Sequence, residues 1–119
     1  MTKAKDLARL RAVMDMARDA DLQKLSQVAE RIARLRAEVD RLRADQAQRA
    51  RDGALDVARF SGADVAWLGW TEDRLRSLQS RIAALEMERI ELRRLAQRST
   101  GRADVAARLA DEHDKPRGR

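Results

Sequence analysis

The sequence predicts an all-α protein, a long two-helix antiparallel coiled-coil hairpin, and three observations carry that prediction. Leu25, Val28, Ile32, Leu35, Val39 and Leu42 follow one another at alternating steps of three and four. That alternation averages 3.5 residues, the repeat that keeps one apolar seam turned toward a partner helix. The same rhythm returns in Leu75, Leu78, Ile82 and Leu85, and again at Leu92. Between the two seams lie Asp52-Gly53 and Ser61-Gly62, which are turn signals. Composition agrees: of 119 residues 39% are charged and 3% aromatic, so the chain can bury a stripe but not a broad core.

Arm one is expected over residues 4–52, beginning near Thr2 to Lys5. Leu7, Leu10 and Met14 open a seam, and Leu25 resumes it 11 residues after Met14. An interval of a heptad plus four reads as a stutter that locally relaxes the supercoil, with Ala17 and Leu22 filling the gap. The seam positions after Leu42 would be Gln46 and Arg49, so the apolar pattern stops there. No Pro interrupts the arm, and the first Gly is Gly53. On the exposed faces Glu30 with Arg34 and Asp45 with Arg49 have favoured i,i+4 spacing. Glu72 with Arg76 and Asp104 with Arg108 repeat it in the second arm, each pair worth ~0.2–0.5 kcal/mol.

The tip is expected over 53–62. Ala54 to Phe60 keeps helical character, with Leu55 and Val57 available to pack, so the end of arm one falls between Gly53 and Phe60. Ser61 and Asp64 have the spacing of a capping box, which starts arm two at Gly62 or Ala63. Arm two covers 63–110. Arg89 falls on its seam and is expected to carry its charged head out to water. Gly101 loosens the helix at Ser99-Thr100-Gly101, and Ala103 to Leu109 resumes it. Residues 111–119 read as a polar tail in which Pro116 ends any helix.

Little in the chain points to catalysis. There is no Cys, and the single His113 lies in the charged tail. No pair of carboxylates is set in a shared water-poor cleft, as general acid–base chemistry needs. Gly53, Gly62 and Gly69 fit no phosphate-binding loop. No enzyme activity, cofactor, metal or small-molecule substrate is expected. The net charge is +6, from 26 basic and 20 acidic side chains. Arg31, Arg34, Arg36, Arg41, Arg43, Arg49 and Arg51 are interrupted by Glu30, Glu38, Asp40 and Asp45. That interleaving reads as a solvated coiled-coil flank rather than a surface tracking phosphates or lying on a membrane. No run approaches the ~18 apolar residues of a membrane span, and no secretory signal opens the chain, so a cytoplasmic address is expected.

Two features stand apart from the seams. Phe60, Trp67 and Trp70 are the only aromatic residues, and they fall within 11 positions. Trp67 and Trp70 are i,i+3 on one helical face. They either cap the end of the hairpin or present an indole face to a partner, since Trp is enriched where proteins bind. Arg93, Arg94, Arg98 and Arg102 form a basic stretch near the free ends. It is either a solvated flank or a dock for an acidic partner.

These elements resemble the FliJ-type proteins of bacterial flagella and their YscO-like relatives in type III secretion. The resemblance rests on Leu7-Ala8-Arg9-Leu10 at the start, Trp67-Leu68-Gly69-Trp70 running into Leu75, Leu78 and Ile82, and a charged tail. The chain is short for that family and lacks the tyrosines that members often carry near the tip. The resemblance implies a non-enzymatic stalk and general chaperone whose partners are an export ATPase ring, the cytoplasmic domain of the export gate and export chaperones. It implies a cytoplasmic protein, peripheral at most at the inner membrane. It places Trp67, Trp70 and Leu75 near the gate-contacting region; Phe60 is a partner-binding candidate from the aromatic cluster alone. By location it places Leu7, Leu10, Arg94 and Arg98 at the ATPase end. An adaptor coiled coil with an unrelated protein partner and a nucleic-acid-associated helical protein are the other readings. A parallel homodimer of one continuous helix is the structural competitor: it sets Arg31 against Arg36 and Glu38 against Arg43, so charge does not decide between them.

Overall fold

A computed structural model describes residues 2–55 and 62–115. It contains two helices, α1 at Thr2–Leu55 and α2 at Gly62–Asp114, and the chain is an all-α helical hairpin. Arm one therefore continues past Gly53 to Leu55, and arm two starts at Gly62. Val57, Phe60 and Ser61, on which the packing of the tip and the capping box were expected to rest, lie outside the described residues. Contacts divide the chain into two compact units, a turn-proximal unit of Ala29–Met87 and a terminal unit of Met1–Val28 with Glu88–Arg119.

In the turn-proximal unit the expected seam is the core. Val39, Leu75 and Leu78 are buried together, and Leu35, Leu42 and Ile82 pack against them. Ile32 is buried as well. Burying side chains of this size contributes roughly 1.5–3 kcal/mol each. Ion pairs flank the stripe on both sides. Arg36 donates to Glu86 at 2.6 Å, and Arg74 donates to Glu38 through Nε at 3.1 Å and Nη2 at 2.8 Å. Exposed pairs add little stability each. Their geometry fixes which residues of the antiparallel helices stand opposite one another.

The terminal unit keeps the heptad but changes its chemistry. The seam of α2 runs on through Leu92, Ala96, Ser99, Ala103, Ala106 and Ala110 in unbroken steps of three and four, and the last five of these are buried. On α1 no stutter occurs between Met14 and Leu25. The interval divides as 4, 3 and 4, with half-buried Arg18 and Asp21 on the seam, while Ala17 and Leu22 face solvent. The hydroxyl of Ser99 bonds the Asp21 carboxylate across the unit and also lies 3.0 Å from the Leu95 carbonyl oxygen. Its single proton serves one acceptor at a time. Arg18 pairs with Asp15 at 3.5 Å and Asp19 at 3.2 Å, and Arg11 reaches Asp111 at 3.2 Å.

Four further expectations are corrected. Gly101 does not loosen α2, because its φ is negative and the helix continues to Asp114. The tail expected from 111 is thus helical at its start, and Asp111 is held by Arg11. Among the described residues none of the four expected i,i+4 pairs forms an ion pair. The charges bond at i,i+3, as in Asp73–Arg76 and Glu91–Arg94, or reach across to the facing helix. Flanking positions of an antiparallel pair offer closer partners than the next turn of the same helix. Arg89 is half-buried at its seam position with Nε enclosed, so only part of its head reaches water.

Candidate functional site

The aromatic segment sits at the start of α2, in the turn-proximal unit. Thr71 fills a seam position and is fully buried, and its hydroxyl donates to the Trp67 carbonyl at 2.8 Å. This back-bond satisfies a buried polar side chain with its own helix. One turn ahead of it, the half-buried Trp67 lies under Arg49, whose guanidinium carbon is 3.7 Å from the ring centroid. A cation over an indole face at this range is attracted by the ring quadrupole, worth about 0.5–1 kcal/mol where solvent reaches it. Asp64 approaches the same guanidinium at 3.8 Å. Gln46 completes the frame by donating to Glu72 at 2.8 Å. Gln46 and Arg49 are thus the continuation of the α1 seam with polar side chains in place of apolar ones.

Trp70 is the outward member of the pair. It is 58% exposed, and Val65 and Leu68 of the same helix are also exposed. The two expected roles are therefore divided: Trp67 is packed within the unit, and Trp70 presents its indole to solvent. Leu75 is 6% exposed within the core cluster, which withdraws it from the expected contact surface and makes it a packing residue. Phe60 lies outside the described residues.

The terminal candidates are not gathered at one point. Leu7 is half-buried on the α1 seam, while Leu10 is exposed. Arg94 is exposed and donates to Glu91 through Nη2 at 2.6 Å and Nε at 3.1 Å. That hydrogen bond, with the charges of Arg94 and Arg98, holds the Glu91 carboxyl below the usual range, and the same pairing raises Arg94. Arg98 is exposed and makes no ion pair among the described residues. Net charge also separates the units. The terminal unit holds 15 basic and 10 acidic residues and the turn-proximal unit 11 and 10, so most of the positive excess is terminal.

Sequence reasoning missed Arg49 as the partner of Trp67, although Arg49 stands on the extrapolated heptad. It also missed the Asp21–Ser99 bond, because a search for apolar periodicity passes over polar seam positions. Among the described residues no group of three or more His, Cys, Asp or Glu could hold a metal, and no helix is long and apolar enough to cross a membrane. The chain is thus an antiparallel helical hairpin with one clamped and one outward tryptophan at the start of its second helix. The chain matches no family model, no curated protein and no solved structure.

Proposed function

We propose that this chain is a non-enzymatic coiled-coil stalk and general chaperone of a flagellar or related type III export apparatus, coupling the export ATPase ring to the export gate. The observation that carries the reading is Trp70, exposed on a helix whose preceding turn is pinned by Arg49 and Thr71. A large indole held outward on a rigid element loses little freedom on binding, which is what a recognition anchor requires. In this reading Trp70 meets the cytoplasmic domain of the gate and the basic terminal unit meets the ATPase ring. The protein works in the cytoplasm, peripheral to the inner membrane. Leu7 is shared between the seam and the terminal contact, and Leu10, Arg94 and Arg98 supply its exposed groups.

The test is a cognate export ATPase hexamer mixed with the purified protein. The reading requires binding and a rise in ATP hydrolysis. Trp70→Ala should keep the helicity and the stimulation while weakening capture of the gate domain by about 10-fold or more, the size of a hot-spot loss. Absence of both binding and stimulation removes the reading. It leaves an adaptor coiled coil that uses the same exposed indole toward another protein.

A further inference from the structure

The terminal unit carries a groove that the proposed export role does not use. Leu22 and Leu25 of α1 and Arg93, Ala96, Gln97, Thr100, Gly101 and Asp104 of α2 line a shallow, mainly apolar groove of about 370 Å³. Ala96, Thr100 and Gly101 give its α2 wall small side chains, and Leu22 is 44% exposed. A Cβ built on Gly101 would meet no atom within 4 Å. Nothing inside the chain therefore requires glycine at this position, where it costs a helix about 1 kcal/mol relative to alanine. The space above Gly101 is open to a second backbone.

The charges along the groove indicate what fits it. Arg93 and Asp104 are exposed, and neither makes an ion pair among the described residues. They are 11 residues apart, three helical turns, so they share one face about 16 Å apart. A helix of opposite polarity laid along the groove would need an acid opposite Arg93 and a base opposite Asp104. The same α2 segment, reversed, supplies both. With the two-fold centre between Gln97 and Thr100, Arg93 meets Asp104 of a second copy, and Asp104 meets its Arg93. Gln97 then faces Thr100, and the 63% exposed Ile90 faces Ala107. An isologous contact needs this self-complementarity.

We propose that the terminal unit self-associates through this groove, two copies docking α2 against α2 in antiparallel register about the Gln97–Thr100 centre. The contact from Ile90 to Ala107 spans about 27 Å of helix. Such a contact is small against the ~1,200–2,000 Å² of stable complexes, so the dimer is a reversible one with a dissociation constant of about 10–100 µM. The positive excess of the terminal unit opposes it at low salt and is screened at ~0.15 M ionic strength.

Sedimentation equilibrium of the full chain from about 1 to 500 µM at that ionic strength tests the proposal. The mass should climb from 13.5 kDa toward twice that value. Arg93→Asp and Asp104→Arg should each weaken association at least about 10-fold, because each sets like charges opposite one another in both halves of the contact. Mixed at equal amounts, the two variants should recover a 1:1 dimer, since each now offers what the other lacks. Gly101→Trp should block the groove, and circular dichroism confirms that each variant keeps its helicity. A native protein that stays at monomer mass throughout overturns the proposal, as does a mixture that fails to recover the dimer. A dimer that survives both charge reversals but is lost in Val13→Ser with Leu109→Ser lies on another face and overturns it equally.

Discussion

The two units share one heptad geometry and differ in what they place on it. The turn-proximal unit sets Ile32, Val39, Leu75 and Leu78 into its seam, branched side chains that leave almost no exposed surface. The terminal unit has Ala96, Ala103, Ala106 and Ala110 on the α2 seam and Leu7, Met14, Arg18 and Asp21 on that of α1, with Val28 its one buried branched apolar side chain among the described residues. Apolar area removed from water stabilises a helix pair roughly in proportion to its extent. Alanines bury little, and each polar seam residue must find a partner before it adds anything. The turn-proximal unit thus provides cohesion. The terminal unit provides register, through Asp21–Ser99 and Arg11–Asp111, and leaves its outer faces available for contacts.

The largest expected effect separates the units directly. Leu78→Ala removes a fully buried side chain, and chemical denaturation should show a loss of about 2–5 kcal/mol. Leu7→Ala, half-buried in the terminal unit, should cost well under half as much. Equal losses would break the comparison. A smaller effect should have the opposite sign. Asp21→Leu restores an apolar seam position and leaves the Ser99 hydroxyl bonded to Leu95, so thermal unfolding should show a gain of up to about 1 kcal/mol. A clear loss of stability would mean that the Asp21 bond contributes cohesion as well as register.

The smallest effect concerns the exposed pair Glu91–Arg94. The Glu91 carboxyl is held below its ordinary range by its hydrogen bond to Arg94. A folded-state value below the unfolded one means that the contribution is present above the unfolded value and fades as pH falls through the folded one. An NMR titration should therefore place the Glu91 midpoint lower than in Arg94→Ala. Identical midpoints in the two proteins would show that the bond is not kept in solution.

Much of the fold was legible because apolar residues on a seam announce themselves. Leu25 to Leu42 and Leu75 to Leu85 predicted the hairpin and its turn-proximal core from spacing alone. The terminal half was misread in detail for two reasons. Arg18, Asp21 and Ser99 hold seam positions, and polar residues at those positions look like interruptions until the facing helix is known, which produced the stutter between Met14 and Leu25. The loosening at Gly101 rested on the low helix propensity of glycine, which the surrounding helix overrides. At the candidate site, the sequence placed Trp67 and Trp70 on one face. The division of roles between them depends on Arg49, and which α1 residue faces Trp67 follows from the register of the pair. Leu75 was taken as a contact residue by resemblance, while its own seam position already placed it in the core.

Native-state amide hydrogen exchange measures directly whether the turn-proximal unit is cohesive and the terminal unit opens on its own. The slowest amides should lie at Ile32 to Leu42 and Leu75 to Leu85. Those of Leu7 to Asp21 and Ala96 to Ala110 should exchange about 10-fold or more faster through local opening. Uniform protection along both helices, or slower exchange in the terminal unit, would contradict the account.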